Sequence, residues 1–377
     1  MHNPPFAIHP GPVSTSPEAV DYNPAKIALL AAKFAELIER ETIQCAGFIM
    51  ARHGKIFAWQ TMGPLRGFED RGDFMPDSLR RVASVTKVYT AVAIMQLVES
   101  GRIYLEQPVA AIIPEFDTDP HRRINIFHLL THTSGLAADP GYWKEPFPAD
   151  YWRETDAENW IRRLLAGPLQ SETGKVWSYS SIGFQILGEI VTRVAGLPYQ
   201  QYVMERIVQP MGLTRTCFDP PQHLHDQVCM VAEGERRRLA GPAPAATVSA
   251  WKASGGLYST LYDLCQLGQL FLNHGRLNGN ELLGRKTLEA MVRNHLPGIP
   301  AYHWGDELKH KSYTLGLEIN KDPLLSPGHL SHEGAGRCAL WIDPAEDFIY
   351  AYMGPTAMAW SPEAVICPRG IAWSGIR

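Results

Sequence analysis

The strongest constraint on the fold is the stretch from Arg81 to Gly101, which is apolar nearly all round a helix. Between Val88 and Val98 the sequence has no charged residue, no Gly and no Pro. Apolar side chains on every face indicate a helix buried in a core rather than one on the surface. Glu99 and Gly101 supply a polar end and a stop. The sequence therefore predicts one buried helix over this stretch.

One cation, Lys87, lies in the first turn of this predicted helix, three residues after Ser84. Residues three apart share a helix face, so the hydroxyl and the amine can meet. A serine hydroxyl becomes an effective nucleophile when a neighbouring base takes its proton. Lysine acts as that base when burial lowers its pKa from about 10.4 to near 7. The alternative is that Ser84 caps the helix while Lys87 extends to solvent. The spacing alone is weak, because Ser249 and Lys252 repeat it without opening such a helix.

Composition excludes several classes of function. The formal net charge is −4, and the densest basic cluster, Arg236–Arg238, is too short to indicate nucleic-acid binding. No run approaches the roughly 18 apolar residues that a membrane span needs. The six cysteines lie far apart without a Cys-x-x-Cys motif, which predicts free thiols in a reducing compartment. Since the sequence also shows no secretory signal, we expect a cytoplasmic protein.

Strand-like segments lie at both ends of the chain, with helices in the middle. A helix over 24–40 precedes a hairpin formed by 45–51 and 55–61. Near the other end, strand-like segments recur without helices between them, so we expect them to be antiparallel. These segments are 312–320, 329–333, 338–342 and 348–353.

This order predicts an α+β fold in which both ends of the chain contribute to one antiparallel sheet. We expect a flexible N-terminal arm over 1–22 and a sheet domain made of 23–104 plus 246–377. Residues 105–245 would form an inserted helical domain.

Two further segments strengthen the case for Ser84 as a nucleophile. Lys175-Val-Trp-Ser-Tyr179-Ser-Ser181 ends just before a predicted helix, where Tyr179 can approach Ser84. Ser331-His332-Glu333-Gly334-Ala335-Gly336 lies on a predicted strand edge, and its small residues allow a substrate to approach closely.

These motifs, in this order, resemble those of the serine β-lactamase and penicillin-binding-protein superfamily. The chain is similar in particular to the branch that holds class C β-lactamases, family VIII carboxylesterases, D-aminopeptidases and related acyltransferases. The resemblance covers residues from about 25 to 355. It implies an antiparallel sheet flanked by helices with an inserted all-helical domain, and it implies no cofactor and no metal. The supporting stretches are 131–136, 180–189, 210–213, 253–260 and 340–344.

The resemblance also implies a role for each motif. Ser84 is similar to the acylated serine and Lys87 to its partner base, while Tyr179 would relay protons. Backbone N–H groups of Ser84 and Ala335 would form the oxyanion hole, which contributes about 3 kcal/mol per donor. The substrate-binding residues would be Ser181, His332, Glu333 and Gly334.

Two departures from the family's pattern bear on the substrate. Ser181 replaces an asparagine, and His332 and Glu333 stand where lysine and then Thr or Gly are common. The site thereby loses a fixed cation, although a β-lactam carries a carboxylate that this motif ordinarily receives. We therefore expect an acyl-enzyme serine hydrolase for a small ester or amide that is neutral or cationic there. A carboxylesterase with weak or no β-lactamase activity fits this best.

Other interpretations stay open on the sequence. A D-aminopeptidase, a transacylase or a β-lactamase could use the same site, and a non-catalytic binding or scaffold protein could share the fold. A metal site at His223-Leu-His225-Asp226 lacks the rest of its signature. His128 and His132 are either zinc ligands or structural residues at a helix end. The aromatic segment from Tyr142 to Trp152 either lines a substrate pocket or packs the helical domain.

Overall fold

The computed structural model describes most of the chain. The described residues are 6–67, 72–136, 159–240, 249–303, 306–308, 311–319 and 322–377. The helices are α1 (Pro24–Glu39), α2 (Thr86–Glu99), α3 (Ile126–Leu130), α4 (Trp160–Leu165), α5 (Ser181–Ala195), α6 (Tyr199–Val203), α7 (Glu233–Ala240), α8 (Leu261–Leu272), α9 (Arg285–Met291) and α10 (Pro362–Trp373). In these ranges no helix has the length and apolar character that a membrane crossing requires.

The strands are short apart from those of the central sheet. They are β1 (Ile8–Pro10), β2 (Ala46–Arg52), β3 (Lys55–Met62), β4 (Leu79–Arg81), β5 (Trp177–Ser178), β6 (Val228–Cys229), β7 (Tyr258–Ser259), β8 (Arg276–Leu277), β9 (Asn280–Glu281), β10 (Ala301–His303), β11 (Asp306–Leu308), β12 (Ser312–Tyr313), β13 (Glu318–Ile319), β14 (Leu330–Gly334), β15 (Cys338–Asp343) and β16 (Phe348–Met353).

Both ends of the chain form one antiparallel sheet, with the strand order β1-β3-β2-β16-β15-β14-β13-β12. The junction between the two ends is the β2–β16 pair, where Arg52 lies opposite Phe348 and Gly47 opposite Met353. The α+β class predicted from the sequence is therefore confirmed. The predicted limits of the arm and of the two domains stay a prediction.

The sheet carries a hydrophobic core on each face. We call the two faces the α2 face and the α1 face. The α2 face packs against α2 and α8 and includes Leu340 and Ile349. The α1 face packs against α1 and α10 and includes Trp341 and Tyr350. Because successive strand residues point to opposite sides of the sheet, side chains on the same face share an environment and neighbours in sequence do not.

Helix α2 is buried as the sequence predicts, but it begins later. Its first residue is Thr86, and the predicted helical residues before it form strand β4 and a 3-10 turn over Ala83–Val85. Ala83 has φ of +45°, a left-handed value that a right-handed helix cannot contain. Pairing of Arg80 and Arg81 with β7 holds the preceding residues extended. Ser84 therefore lies before the α-helix rather than inside it.

The predicted strand over 312–320 is instead a tight hairpin of β12 and β13. Gly316 has φ of +100°, and Thr314 and Leu317 bond across the turn, so the chain reverses there. A side chain at position 316 would meet the Ala91 Cβ at 2.5 Å, which requires glycine beside α2. The hairpin thus packs its turn directly against the buried helix.

The middle of the described chain is mainly helical, with α3 to α7 between residues 126 and 240. Its two short strands connect it to the rest of the molecule. Strand β5 pairs with β10, and β6 pairs with β4 immediately before the Ser84 turn. The site described next lies where these parts meet.

Candidate active site

Ser84 lies on a turn that is fixed on both sides. The Val82 N–H donates to the Leu257 carbonyl at 2.9 Å, and the Val85 N–H donates to the Val82 carbonyl at 3.2 Å. Ala83 between them has the left-handed backbone noted above, a conformation that persists only when its surroundings enforce it. Ser84 is thereby held at the N-terminal end of α2, where backbone N–H groups favour negative charge.

Lys87 is fully buried, and its amine lies within hydrogen-bond distance of three oxygen atoms. Lys87 Nζ donates to Ser84 Oγ at 3.1 Å, to Ser181 Oγ at 3.3 Å and to the Ser254 carbonyl at 2.7 Å. All three acceptors are neutral groups. The structure thus brings together Ser84, Lys87 and Ser181, as predicted from the sequence, and adds a backbone carbonyl that side-chain patterns do not reveal.

Tyr179 lies against the same amine, at the end of β5 and before α5. The Lys87 Nζ is 4.8 Å from the centre of the Tyr179 ring and 5.7 Å from the centre of the Phe184 ring. A cation over an aromatic face is attracted by the ring quadrupole. The predicted Tyr179 is therefore part of the Lys87 environment, with its ring against the amine.

His132 holds the segment that carries Tyr179. Its Nδ1 accepts from the Ser180 N–H at 3.0 Å, and its carbonyl accepts from the Ser178 N–H at 2.8 Å. The centre of its ring lies 4.6 Å from that of Tyr179, and the two ring planes are tilted by 32°. His128, in contrast, closes a capping box with Asn125 at the start of α3. Both histidines therefore have structural contacts, and the contact of His132 with Tyr179 was not anticipated from the sequence.

Strand β14 passes beside Ser84 on its α2 face. A side chain at Gly334 would meet the Val82 carbonyl at 2.1 Å and the Ser84 nitrogen at 3.2 Å, so only glycine fits. His332 lies opposite Leu340 in the register and is likewise on the α2 face. Its Nδ1 donates to the Glu333 carbonyl at 2.9 Å, which leaves Nε2 as the acceptor of a neutral ring. His332 and Gly334 therefore belong to the site.

Glu333 does not share this environment, which corrects its predicted place beside His332. It lies opposite Ala339, which belongs to the core on the α1 face. Its carboxyl lies near Trp360, whose hydrogen bond favours the charged form. The physical reason is the alternation of side chains along a strand. A motif written as His-Glu-Gly therefore presents its first and third residues to Ser84, and its second to the other side of the sheet.

The two titratable groups of β14 have pKa values shifted in opposite directions. Burial and the nearby Lys87 lower the pKa of His332 to about 4. Burial and the nearby Glu318 raise the pKa of Glu333 to about 7. His332 is therefore neutral at pH 7, and Glu333 is about half protonated.

We expect Glu333→Gln to stabilise the protein more at pH 8 than at pH 5. With a folded pKa of about 7 against a usual value of 4.5, the folded protein keeps a proton that the unfolded chain releases between these values. Wild-type stability therefore falls as the pH rises through this window, and glutamine removes the loss. The partial exposure of Glu333 reduces the size of this effect. We therefore expect Glu333→Gln to raise the free energy of unfolding by about 1–2 kcal/mol more at pH 8 than at pH 5, as measured by urea unfolding.

Glu235→Gln is the matched control for this experiment, since its effect on stability should be nearly the same at pH 5 and pH 8. Burial raises the pKa of Glu235, but the hydrogen bond from Arg80 outweighs this, so that the pKa is lowered. The carboxyl of Glu235 is therefore ionised in the folded protein at both pH values and largely ionised in the unfolded chain, and its contribution to stability is lost only at lower pH. If the benefit of Glu333→Gln is the same at pH 5 and pH 8, the environment assigned to Glu333 is wrong.

The remaining candidates from the sequence lie elsewhere. Lys252 pairs with the Asp219 carboxylate at 2.6 Å, whereas the acceptors of the Lys87 amine include Ser84, Ser181 and the Ser254 carbonyl. His225 Nε2 bonds to the Pro220 carbonyl at 2.9 Å. Within the described ranges, no group of three or more His, Cys, Asp or Glu side chains is arranged to hold a metal ion. The aromatic segment over 142–152 lies outside the described residues.

The sequence is similar to those of known proteins. A family model described as Beta-lactamase matches residues 30–357. An uncharacterized protein of Mycobacterium tuberculosis is 30% identical over 319 residues, which cover 74% of this chain and 77% of that protein. The esterase EstB of Burkholderia gladioli is 33% identical over 222 residues, or 54% of each chain.

Solved structures show the same fold at lower sequence identity. The structure of EstCE1, described as a hydrolase with promiscuous acyltransferase activity, superposes with a TM-score of 0.76 at 21% identity. The match covers 92% of this chain and 98% of EstCE1. A class C beta-lactamase superposes with a TM-score of 0.75 at 15% identity, covering 96% and 97% of the two chains.

Proposed function

Because this chain belongs to the beta-lactamase family, it is a serine hydrolase for esters or amides, and we propose that it is a carboxylesterase acylated at Ser84. The observation that carries the proposal is the 3.1 Å contact between the buried Lys87 Nζ and Ser84 Oγ. A serine paired with a buried amine, beside a tyrosine, has the arrangement that covalent catalysis requires.

In the acylation step, Ser84 Oγ attacks the carbonyl carbon of the ester, and its proton passes to the Lys87–Tyr179 pair. The carbonyl oxygen becomes an oxyanion, which we assign to the N–H groups of Ser84 and Ala335. This assignment is supported by the close approach of Gly334, the residue before Ala335, to the Ser84 nitrogen. When the C–O bond to the alcohol breaks, the leaving oxygen takes the proton from the pair.

Deacylation runs through the same groups in reverse. The Lys87–Tyr179 pair takes a proton from water, and the resulting hydroxide attacks the acyl carbon. The bond to Ser84 Oγ then breaks, and the proton returns to the serine, which releases the carboxylic acid and restores the enzyme. Ser181 and the Ser254 carbonyl hold Lys87 in place throughout, since they lie within 3.3 Å and 2.7 Å of its amine.

The neutral ring of His332 determines the expected substrate class. A carboxylate on a substrate needs a paired cation in a desolvated site, because an unpaired buried charge costs several kcal/mol. His332 occupies the place of the cation, but its pKa of about 4 leaves it uncharged at neutral pH. The uncharged ring therefore supports the proposal that the preferred substrates are esters without a charge near β14, and not penicillins, which carry a carboxylate.

We expect p-nitrophenyl butyrate to be hydrolysed at least a hundredfold better than benzylpenicillin, as measured by kcat/KM, which corresponds to about 2.7 kcal/mol. His332→Lys should narrow this ratio, because it places a cation on the α2 face beside Ser84. Glu333→Thr is the matched control and should narrow it less, since Glu333 lies on the opposite face. Equal hydrolysis of both substrates by the wild type would refute the proposed specificity.

We also propose a cytoplasmic location. All six cysteines are free, and four of them are fully buried. Free thiols in this number are typical of proteins from reducing compartments.

A further inference from the structure

Two large apolar side chains are exposed on a short segment that follows β16. Met358 is 63% exposed and Trp360 is 49% exposed, and they are separated by a single residue. Large apolar side chains exposed close together are a common feature of ligand-binding surfaces. Their position relative to Ser84 therefore decides what they can bind.

The segment is fixed to the turn that follows β14. The Gly354 N–H donates to the Arg337 carbonyl at 2.8 Å, and Arg337 Nη2 donates to the Met358 carbonyl at 3.2 Å. Farther along, the Trp360 side chain lies close enough to the carboxyl of Glu333 to lower its pKa. The two hydrogen bonds and this proximity place both apolar side chains beside the end of β14.

The same turn reaches the catalytic serine on its other side. Gly334 packs against the Ser84 nitrogen, and a side chain at Gly336 would meet the Arg81 carbonyl at 2.1 Å. Ala335 between them is exposed and carries the N–H group that we assign to the oxyanion hole. One turn thus has Ser84 on one side and the segment of Met358 and Trp360 on the other.

The residue that follows β14 is accessible to a substrate. His332 and Gly334 on the strand are buried, whereas Ala335, directly after its end, is exposed. A substrate whose carbonyl carbon lies at Ser84 can extend past Ala335, at the end of β14, towards the segment of Met358 and Trp360. A group that reaches this segment meets the exposed apolar side chains of Met358 and Trp360.

We propose that Met358 and Trp360 form an apolar subsite for the hydrocarbon group of the ester substrate. The subsite rests on the proposed esterase function and adds its substrate class, which is esters with a medium-length alkyl or an aryl group. Burial of each methylene against this surface should raise kcat/KM by up to about fourfold until the surface is covered. The group can be the acyl chain or the alcohol, because both are attached to the carbonyl carbon.

Two series of esters test this subsite and distinguish its two sources. The p-nitrophenyl esters from acetate to octanoate lengthen the acyl chain, and the alkyl butyrates from methyl to octyl lengthen the alcohol. In the wild type we expect kcat/KM to rise along one series. We compare kcat/KM for the best ester of that series with kcat/KM for its shortest member. In the Met358→Ala/Trp360→Ala double variant this ratio should be at least fivefold smaller than in the wild type, while p-nitrophenyl acetate turnover and the melting temperature stay near wild type.

Two further variants sharpen the comparison. Trp360→Phe keeps the apolar surface but removes the indole N–H near Glu333, and it should keep most of the rise in kcat/KM. Tyr104→Ala removes a side chain that is 55% exposed after the C-terminal end of α2, and it should change nothing. An unchanged rise in the double variant, or an equal loss in Trp360→Phe, overturns the subsite while leaving the esterase function intact. If the wild type hydrolyses no ester in either series, the proposed function fails and the subsite fails with it.

Discussion

Replacement of Ser84 by alanine is expected to lower ester turnover by a factor on the order of 10⁴ or more and to abolish covalent labelling by a fluorophosphonate. The variant lacks the oxygen that forms the acyl-enzyme. The fold should persist, because Lys87 keeps its bonds to Ser181 and to the Ser254 carbonyl. Initial rates, intact-mass spectrometry of the labelled protein and a melting curve measure these three outcomes.

Ser249→Ala provides the matched control, since Ser249 begins the second Ser-x-x-Lys match in the chain. Its lysine, Lys252, is paired with Asp219, so we expect wild-type turnover and labelling. Loss of labelling in Ser249→Ala together with its retention in Ser84→Ala would show that the nucleophile is misassigned.

The second large effect concerns the proton relay. We expect Lys87→Ala and Tyr179→Phe each to lower kcat by about a thousandfold or more, and the double variant to lower it little further. The reason is that the amine lies 4.8 Å from the centre of the ring, and in the proposed mechanism the two groups serve one proton transfer as a unit. Single-turnover rates of acylation measure the effect without interference from product release.

Tyr199→Phe is the control for removal of a phenol hydroxyl. Tyr199 is buried, and its hydroxyl bonds at 2.7 Å to Oγ1 of Thr90, which lies on α2 beyond Lys87. Its loss should cost about 1 kcal/mol of stability and leave turnover near wild type. If the losses from Lys87→Ala and Tyr179→Phe multiply in the double variant, the two residues act independently and the shared relay is refuted.

The sequence predicts the α+β fold because its two periodicities are clear. The residues from Val88 to Val98 are apolar on almost every side, which leaves a buried helix as the consistent solution. Strand-like segments at both ends, without helices between the last four, require antiparallel pairing. The structure confirms both features, and the predicted Ser84, Lys87 and Ser181 lie together within the distances of a hydrogen bond.

Local backbone geometry limits what the sequence can predict about the site. The left-handed Ala83 moves the start of α2 to Thr86, although alanine is among the best helix formers. Tertiary pairing of β4 with β6 and β7 overrides that preference. The place of Glu333 follows from strand alternation, but the sequence does not tell which of two adjacent polar residues points to the serine.

Contacts made by backbone atoms are the second limit. The Ser254 carbonyl accepts from Lys87, and the His132 ring accepts from the Ser180 N–H. Neither contact has a side-chain signature, because every residue carries a backbone carbonyl and all but proline an N–H. The sequence motifs include the segments around Ser254 and Ser180, but which atoms these backbone groups contact depends on the assembled fold.

The pairing of β2 with β16 has a consequence for how the protein is made. Arg52 finds its partner, Phe348, only after most of the chain has left the ribosome. Until then the nascent chain exposes strand edges and apolar side chains that belong to both cores, a state prone to aggregation. Strand β14, which supplies His332 and Gly334, also emerges late. The nascent chain therefore contains Ser84 long before β14 and β16 are available to complete the candidate site around it.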